Sequence, residues 1–237
     1  WNRWPMQSST WRAHGNTYVV AELDDDRLDA ARAAALARDA DGVLEILASG
    51  DDRVEIAIWN PDGSQAELSG NGTRIAAAWL ASRTDTRRID VVVGNRSVKT
   101  RILEDGAIEQ DLGLVVVGAP ETIDGITFTP VSVGNPHAVV IGEPGSVAEV
   151  GPFLETHPRF PSRTNVQVAR VDAPGEVTAR VWERGVGETE SSGTSAVAVA
   201  AATHEHGDVL VHFRGGDLRV RLEGGRALLY GSAERVS

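Results

Sequence analysis

The sequence contains no cysteine among its 237 residues. This absence excludes disulfide bonds, cysteine zinc sites, iron–sulfur clusters and catalysis by a thiol. Long apolar runs are also missing, since the most apolar stretch, residues 196–202, is far shorter than the ~20 residues that a bilayer requires. The amino-terminal segment lacks the apolar centre of a signal peptide. We therefore expect a cytoplasmic protein without membrane association.

Positive charge is scarce as well. Lys99 is the single lysine, and 23 basic residues against 34 acidic ones give a formal net charge of −11. Nucleic-acid phosphates are bound by clustered Lys and Arg, so no nucleic-acid partner is expected. The histidines His204, His206 and His212 lack the spacing of a metal-binding motif, and no metal is expected.

The chain reads as an α+β protein that is rich in strands. Runs of β-branched residues bounded by Gly, Asp, Asn and Pro predict strands along most of its length. Three segments instead have helical patterns, at residues 25–40, 73–82 and 194–207. The last two consist of small residues on all sides, which predicts central helices surrounded by sheet. Predicted strands occupy residues 18–23, 42–48, 53–60, 88–94, 97–104, 114–118, 137–142, 165–171, 176–183, 209–215 and 218–224.

An internal repeat organises this pattern. Residues 58–78 align with residues 181–201 at an offset of 123, which pairs Trp59 with Trp182 and Ser69 with Ser192. A second pair of segments, 14–20 and 133–140, aligns at an offset of 119. Two separate matches at nearly the same offset indicate two copies of one strand–turn–helix unit. We place the first half at 1–117, completed by a strand near 227–237, and the second half at 118–226.

Each copy has a Ser- and Gly-rich turn immediately before its central helix. Free backbone N–H groups and the helix dipole favour an anion at such a helix start, and glycine permits close approach. The same residue types are also ordinary helix caps and turn formers. Because the turn is duplicated at matching depth, we favour a binding site for a carboxylate or phosphate. Polar residues near the turns and in the second repeated segment are further candidates: Asn16, Asn60, Asn135, His137, Asn165, Glu183 and Arg184.

Four segments resemble the signatures of the diaminopimelate epimerases, which are amino-acid epimerases that work without pyridoxal phosphate. They are WNPDGSQAELSGNGTR, VGNPHAVV, TNVQVA and VWERGVGETESSGTSAVAVAAA, in the family's order. The resemblance implies two pseudo-symmetric halves, each a mostly antiparallel sheet wrapped around a central helix, with the active site in the cleft. It also implies interconversion of LL- and meso-diaminopimelate in lysine and cell-wall biosynthesis, no cofactor, a small-molecule amino-acid substrate, and possible homodimers.

Site residues follow from the same resemblance. His137 and Glu183 match residues that assist the two catalytic bases. The positions matching substrate-binding residues are Asn16, Asn60, Gly70, Asn71, Gly72, Asn135, Asn165, Arg184, Gly193 and Thr194.

The sequence departs from the family at the two bases. Both are cysteines in the family, and the matching positions here are Ser69 and Ser192. The pKa of an alkyl hydroxyl resembles that of water and lies far above that of a free thiol, which is about 8.5. Roughly seven pKa units correspond to about 10 kcal/mol for forming the base. Epimerisation by thiols is therefore closed to this chain.

Three interpretations stay open. The first is a diaminopimelate epimerase, or a close amino-acid epimerase, in which serine occupies both cysteine positions. The second is another cofactor-independent isomerase or lyase of amino or hydroxy acids, with Glu183, Glu188 or His137 as proton carrier. The third is a non-catalytic protein that binds an amino acid. Solvent deuterium exchange at the α-carbon separates the second from the others, and binding without turnover selects the third.

Overall fold

The computed structural model describes residues 6–23 and 27–237. The strands are β1 (Met6–Ala13), β2 (Asn16–Leu23), β3 (Gly42–Ser49), β4 (Arg53–Trp59), β5 (Gln65–Ala66), β6 (Arg88–Val93), β7 (Arg96–Ile102), β8 (Ile108–Leu114), β9 (Val116–Val117), β10 (Glu121–Ile123), β11 (Ile126–Ser132), β12 (Pro136–Ile141), β13 (Asn165–Ala173), β14 (Glu176–Glu183), β15 (Gly187–Thr189), β16 (Gly207–Phe213), β17 (Gly216–Glu223), β18 (Arg226–Gly231) and β19 (Glu234–Arg235). The helices are α1 (Ala30–Leu36), α2 (Gly70–Ala81), α3 (Val147–Glu155) and α4 (Gly193–Thr203), and a 3₁₀ turn covers Pro144–Ser146.

The chain divides into two compact units. Unit 1 comprises the residues up to Gln110 together with Gly231–Ser237, and unit 2 comprises Asp111–Tyr230. The sequence-based expectation put this division at 117/118. The carboxyl-terminal residues belong to unit 1 because β19 pairs with β1 through Trp11 opposite Arg235.

Unit 1 is a sheet around α2. Strands β1 and β2 are antiparallel, β2 and β3 parallel, β3 and β4 antiparallel, β4 and β6 parallel, and β6 and β7 antiparallel. Helix α2 contacts most of these strands, and Ile75, Ala76 and Trp79 lie in the main core of the unit. Antiparallel pairings predominate, and the sheet covers a helix that is buried along almost its whole length.

Unit 2 repeats this order of pairings. Strands β11 and β12 are antiparallel, β12 and β13 parallel, β13 and β14 antiparallel, β14 and β16 parallel, and β16 and β17 antiparallel. Helix α4 replaces α2, and its residues 193–200 are all buried. The predicted α+β architecture, with a mostly antiparallel sheet around a central helix in each half, is confirmed.

Helix boundaries differ from the sequence-based expectation in informative ways. The helix predicted at 25–40 is the short α1, which begins after Asp29, whose carboxylate accepts the Arg32 N–H at 2.8 Å; residues 24–26 lie outside the described ranges. Helix α3 was not predicted, because Gly151 and Pro152 interrupt its pattern. A Cβ at Gly151 would lie 2.6 Å from Trp182 Cβ, so glycine permits α3 to pack against β14. No helix in the described ranges is long and apolar enough to cross a bilayer.

Candidate active site

The Ser-Gly-Asn-Gly segment of unit 1 is the start of α2. The helix begins at Gly70, three residues earlier than predicted, because Ser69 caps it: Ser69 Oγ accepts the Gly72 N–H at 3.0 Å. The Ser69 carbonyl in turn accepts the Thr73 N–H at 2.9 Å. The glycines therefore lie in the first helical turn, where N–H groups lack intrahelical acceptors and face outward along the helix axis.

A network of buried polar side chains binds the first turn of α2. Gln110 Nε2 donates to the Gly70 carbonyl at 3.0 Å and to Thr73 Oγ1 at 2.7 Å. The Arg74 guanidinium donates to Gln110 Oε1 at 3.0 Å and to Asn71 Oδ1. Asn71, placed by sequence among the substrate ligands, thus uses its side-chain oxygen to bind Arg74. The network fixes the conformation of the first turn.

Arg74 is a cation in the interior of unit 1. Its side chain is fully buried, and burial lowers its pKa to about 9, while the charge of Tyr18 opposes this change. Within the described ranges no carboxylate pairs with Arg74, and its Nε has no hydrogen-bond partner. A buried charge without a counterion is costly, so this position favours anionic groups nearby.

Tyr18 contacts the candidate base position of unit 1. Its hydroxyl lies 3.2 Å from Ser69 Oγ, although 51 residues separate the two in sequence. Strand β2 brings Tyr18 there, with Gly42 of β3 opposite it in the parallel ladder. A side chain at Gly42 would collide with the tyrosine ring, since a Cβ would lie 2.7 Å from Tyr18 Cε1.

The equivalent turn of unit 2 is constructed differently. Ser192 precedes α4 in the same extended conformation, but its hydroxyl makes no capping hydrogen bond. The residue is 6% exposed, and its hydroxyl has no hydrogen-bond partner among the residues that the structure describes. The turn is held instead by Asn135, directly before β12, and by Gln167 of β13. The Ser192 hydroxyl therefore keeps its proton and both lone pairs for a ligand, whereas Ser69 Oγ already binds the Gly72 N–H and the Tyr18 hydroxyl.

His137 lies at the centre of the unit 2 network. Its Nε2 is 3.0 Å from Asn135 Oδ1 and its Nδ1 is 3.0 Å from Gln167 Nε2. An amide oxygen only accepts and an amide nitrogen only donates, so the ring carries its proton on Nε2. Asn135 also donates to Thr194 Oγ1 at 3.3 Å, and Gln167 donates to Ser195 Oγ at 2.9 Å. The histidine thus holds two residues that hold the start of α4.

Burial keeps this histidine neutral. His137 is 1% exposed, and desolvation lowers its pKa to about 3. The positive charge of Arg184 lowers the pKa further. Both ring nitrogens are occupied and neither contacts Ser192. The ring therefore positions neighbouring side chains in this state.

The residues at the end of β14 meet the start of β13. Asn165 Oδ1 accepts the Arg184 N–H at 3.0 Å, and Asn165 Nδ2 donates to the Pro136 carbonyl at 3.0 Å. Glu183 is partly buried and accepts a hydrogen bond from Thr189 Oγ1 at 2.6 Å. The Arg184 guanidinium donates to the Ser162 carbonyl at 3.2 Å. These strand ends therefore supply one carboxylate and one guanidinium on the same short segment.

Two asparagines of unit 1 occupy different environments. Asn16 opens β2 and is buried, two residues before Tyr18, just as Asn135 stands two residues before His137. Asn60 follows β4 and donates through Nδ2 to Ser64 Oγ at 3.0 Å. Asn60 is thus joined to its own turn in this structure.

Other candidates from the sequence are engaged elsewhere. Glu188 lies in ion pairs with Arg180 and with Arg214, the latter at 3.3 Å. His204 accepts the Gly175 N–H at 3.1 Å, and His212 pairs with Asp217 at 2.9 Å. In the described part of the chain, no group of three His, Asp or Glu residues is arranged to hold a metal ion.

Sequence reasoning missed the residues that hold the two turns. Tyr18, Arg74 and Gln110 form the unit 1 network, and Gln167 is central to that of unit 2. One signal was available for Tyr18, because the repeat at an offset of 119 aligns it with His137. Nothing in the local sequence marks Gln110, since it reaches the turn from 37 residues beyond Thr73.

Comparison with known proteins shows which family this chain matches. The family model described as diaminopimelate epimerase matches residues 14–118 and residues 129–236. The diaminopimelate epimerase of Pelotomaculum thermopropionicum is 35% identical over 83% of this chain and 81% of its own length. That of Desulforudis audaxviator is 34% identical over 94% of this chain and 91% of its own length.

Solved structures share the fold. A predicted epimerase from Pseudomonas aeruginosa superposes with a TM-score of 0.73 at 17% identity, covering 97% of this chain and 96% of its own. A hydroxyproline epimerase from Agrobacterium vitis, solved with bound trans-4-hydroxy-L-proline, has a TM-score of 0.72 at 18% identity, covering 100% and 91%. A phenazine biosynthesis protein from Bacillus anthracis has a TM-score of 0.71 at 14% identity.

Proposed function

Because the chain belongs to the diaminopimelate epimerase family, we propose that it binds diaminopimelate and acts on its α-carbon without a cofactor. The observation that carries this proposal is the pair of helix starts, each with a serine hydroxyl directly before it, at Ser69 and Ser192. Such a start attracts the carboxylate of an amino acid and brings the α-carbon near the preceding side chain.

The chemistry of the reaction explains why these two positions matter. Epimerisation removes the α-proton on one face and returns a proton on the other, so two proton carriers are required. Hydroxyl groups form the base with a cost about 10 kcal/mol above that of thiols. We therefore expect binding in this chain, with epimerisation many orders of magnitude slower than in a form with thiols.

Contacts within unit 2 argue against two alternative carriers. Both nitrogens of His137 bind amides, and the Glu188 carboxylate is paired with two arginines. Glu183, which accepts a hydrogen bond from Thr189 Oγ1 at 2.6 Å, is the remaining candidate of the three in that interpretation. These contacts make His137 a group that positions Asn135, and the choice of the serines over Glu183 rests on their place directly before the two helix starts.

The direct experiment replaces both serines. We expect the Ser69→Cys/Ser192→Cys double variant to interconvert LL- and meso-diaminopimelate, measured by chromatographic separation of the isomers. A matched control, Ser97→Cys/Ser146→Cys, adds two thiols at distant positions and should stay inactive. Calorimetry on the unsubstituted chain should show binding of diaminopimelate. An inactive Ser69→Cys/Ser192→Cys variant that still binds the substrate would contradict the assignment of these two positions.

Three further properties are proposed because the chain belongs to this family. They are a cytoplasmic location, assembly into a homodimer, and a role in lysine and cell-wall biosynthesis. The mass of the protein in solution, measured by light scattering, tests the dimer. Complementation of a strain that lacks diaminopimelate epimerase by the double cysteine variant tests the role.

A further inference from the structure

Tyr18 occupies a special place in the repeat of the two units. It stands two residues after Asn16, and His137 stands two residues after Asn135. Both side chains are buried and lie near the turn before the central helix of their unit. Tyr18 contacts Ser69 directly, and His137 contacts Asn135. At this repeated position, unit 1 thus has a phenol, which contacts the candidate proton carrier Ser69 directly.

The hydrogen bonds of Ser69 give this contact a direction. Ser69 Oγ already accepts the Gly72 N–H at 3.0 Å. Its own proton can be donated to the Tyr18 oxygen at 3.2 Å, which leaves one lone pair of Ser69 Oγ for a ligand. Ser192 offers no such path, since it makes no capping bond and has no partner among the described residues. The two serines therefore differ in their ability to pass a proton on.

The surroundings of Tyr18 favour negative charge on its oxygen. The charge interaction between Tyr18 and the buried cation Arg74 raises the pKa of Arg74 against the effect of burial. The residues opposite Tyr18 on the neighbouring strands, Trp11 of β1 and Gly42 of β3, do not titrate. His14 and Arg74 both lie next to Gly231, so His14 is a further titratable group near this buried cation.

We propose that Tyr18 is the proton-relay partner of Ser69. This inference rests on the proposed function. In the step, the α C–H bond of the substrate breaks and its proton bonds to Ser69 Oγ. The Ser69 proton moves to the phenolate oxygen of Tyr18, and the electron pair stays on the substrate as an enolate. A phenol, with a reference pKa of about 10, makes a far more accessible base than a serine hydroxyl.

The pair of Ser69 and Tyr18 supplies one proton carrier, whereas epimerisation requires two. The chain as it stands should therefore exchange the α-proton of diaminopimelate with solvent and return it from the same side, without inversion. The experiment follows loss of the α-proton signal by NMR in D₂O, with chromatography to measure inversion. We expect exchange that accelerates with rising pH, and a decrease of about 10²-fold in Tyr18→Phe. Tyr230→Phe, which removes the only other tyrosine hydroxyl, is the matched control.

Two readouts separate a relay from a structural role of Tyr18. Replacing tyrosine with 3-fluorotyrosine in the Tyr230→Phe variant makes the remaining phenol more acidic, and the pH dependence of exchange should move to lower pH. In Ser69→Cys the chain holds a single thiol, whose alkylation by iodoacetamide needs no substrate. Adding Tyr18→Phe should slow alkylation at neutral pH about 3–10-fold, because a hydrogen bond to the thiolate is lost.

The possible results test the proposed function, the relay and the contact between Tyr18 and Ser69 separately. Absence of diaminopimelate binding by calorimetry overturns the proposed function. Binding without exchange above the protein-free rate overturns the relay while the proposed function stands. Equal exchange in Tyr18→Phe and the unsubstituted chain, or a pH profile unmoved by fluorination, also overturns the relay. Unchanged alkylation of Cys-substituted position 69 on loss of the Tyr18 hydroxyl overturns the contact itself.

Discussion

His137 makes the stability of the protein depend on pH in a way that can be calculated. Its pKa in the folded protein is lowered to about 3 by burial, against an ordinary value of 6.5. Between those two values the unfolded chain binds one more proton than the folded chain. The free energy of unfolding therefore rises with pH there, by about 1.4 kcal/mol per pH unit. The stabilisation is complete above pH 6.5 and is lost progressively as the pH falls toward 3.

The structure explains why protonation is so unfavourable. A proton on Nδ1 would point at the Gln167 amide, which already donates to that nitrogen. The ring is buried, and Arg184 contributes a further repulsive charge. From pH 7 to pH 4 the loss attributable to this histidine is about 3 kcal/mol. That is a large part of the 5–15 kcal/mol that typically stabilises a domain.

The measurement compares the unsubstituted chain with His137→Gln. Urea unfolding at pH 7, 5.5 and 4 gives the free energy for each, and the difference between the two proteins should shrink or reverse toward low pH by about 3 kcal/mol. His206→Gln, at an exposed position, controls for removal of an imidazole. NMR of ¹³C-labelled histidine should find the His137 ring neutral, with its proton on Nε2, at pH 4.5. A ring that titrates near pH 6.5, or a difference independent of pH, would refute the reasoning.

Two further substitutions test the packing. Gly151→Ala places a Cβ about 2.6 Å from Trp182 Cβ and should destabilise unit 2 by about 1–3 kcal/mol, whereas Gly142→Ala, with 3.8 Å to its nearest neighbour, should change urea unfolding little. Equal effects of the two would contradict the packing of α3. Glu45→Leu removes the buried acceptor of the Trp59 indole N–H at 2.9 Å, so unfolding should show a loss of about 1–3 kcal/mol, with Glu45→Gln milder; no difference between the two variants would contradict this role.

The two units share a backbone arrangement but differ in the side chains that support the helix starts. The strand order and the bulges near Ile46 and Val171 are repeated, yet the networks beneath the two turns share no residue type in the central role. A guanidinium, Arg74, holds one turn and an imidazole, His137, holds the other. The repeated backbone conserves the helix starts, and each unit satisfies the buried polar groups with different side chains.

The secondary structure and the internal repeat of this protein can be predicted from local sequence. Periodicity and composition predicted the strands and the two buried helices, because a helix with small residues on every side has no polar face to expose to water. The repeat paired Ser69 with Ser192, and the family resemblance predicts that they occupy the positions of the family's two cysteines. These features depend on neighbours within one strand–turn–helix segment, so local sequence contains them.

The contacts of those residues, by contrast, depend on how the strands and helices pack. Tyr18 meets Ser69, and Gln110 reaches the first turn of α2, through strand pairings that no spacing in the sequence specifies. Burial made His137 a neutral residue that holds Asn135, although its type and position suggested a proton carrier. The physical reason is common to these cases: a polar side chain acquires its role from desolvation and from its hydrogen-bond partners. Both are set by which strands and helices pack around it.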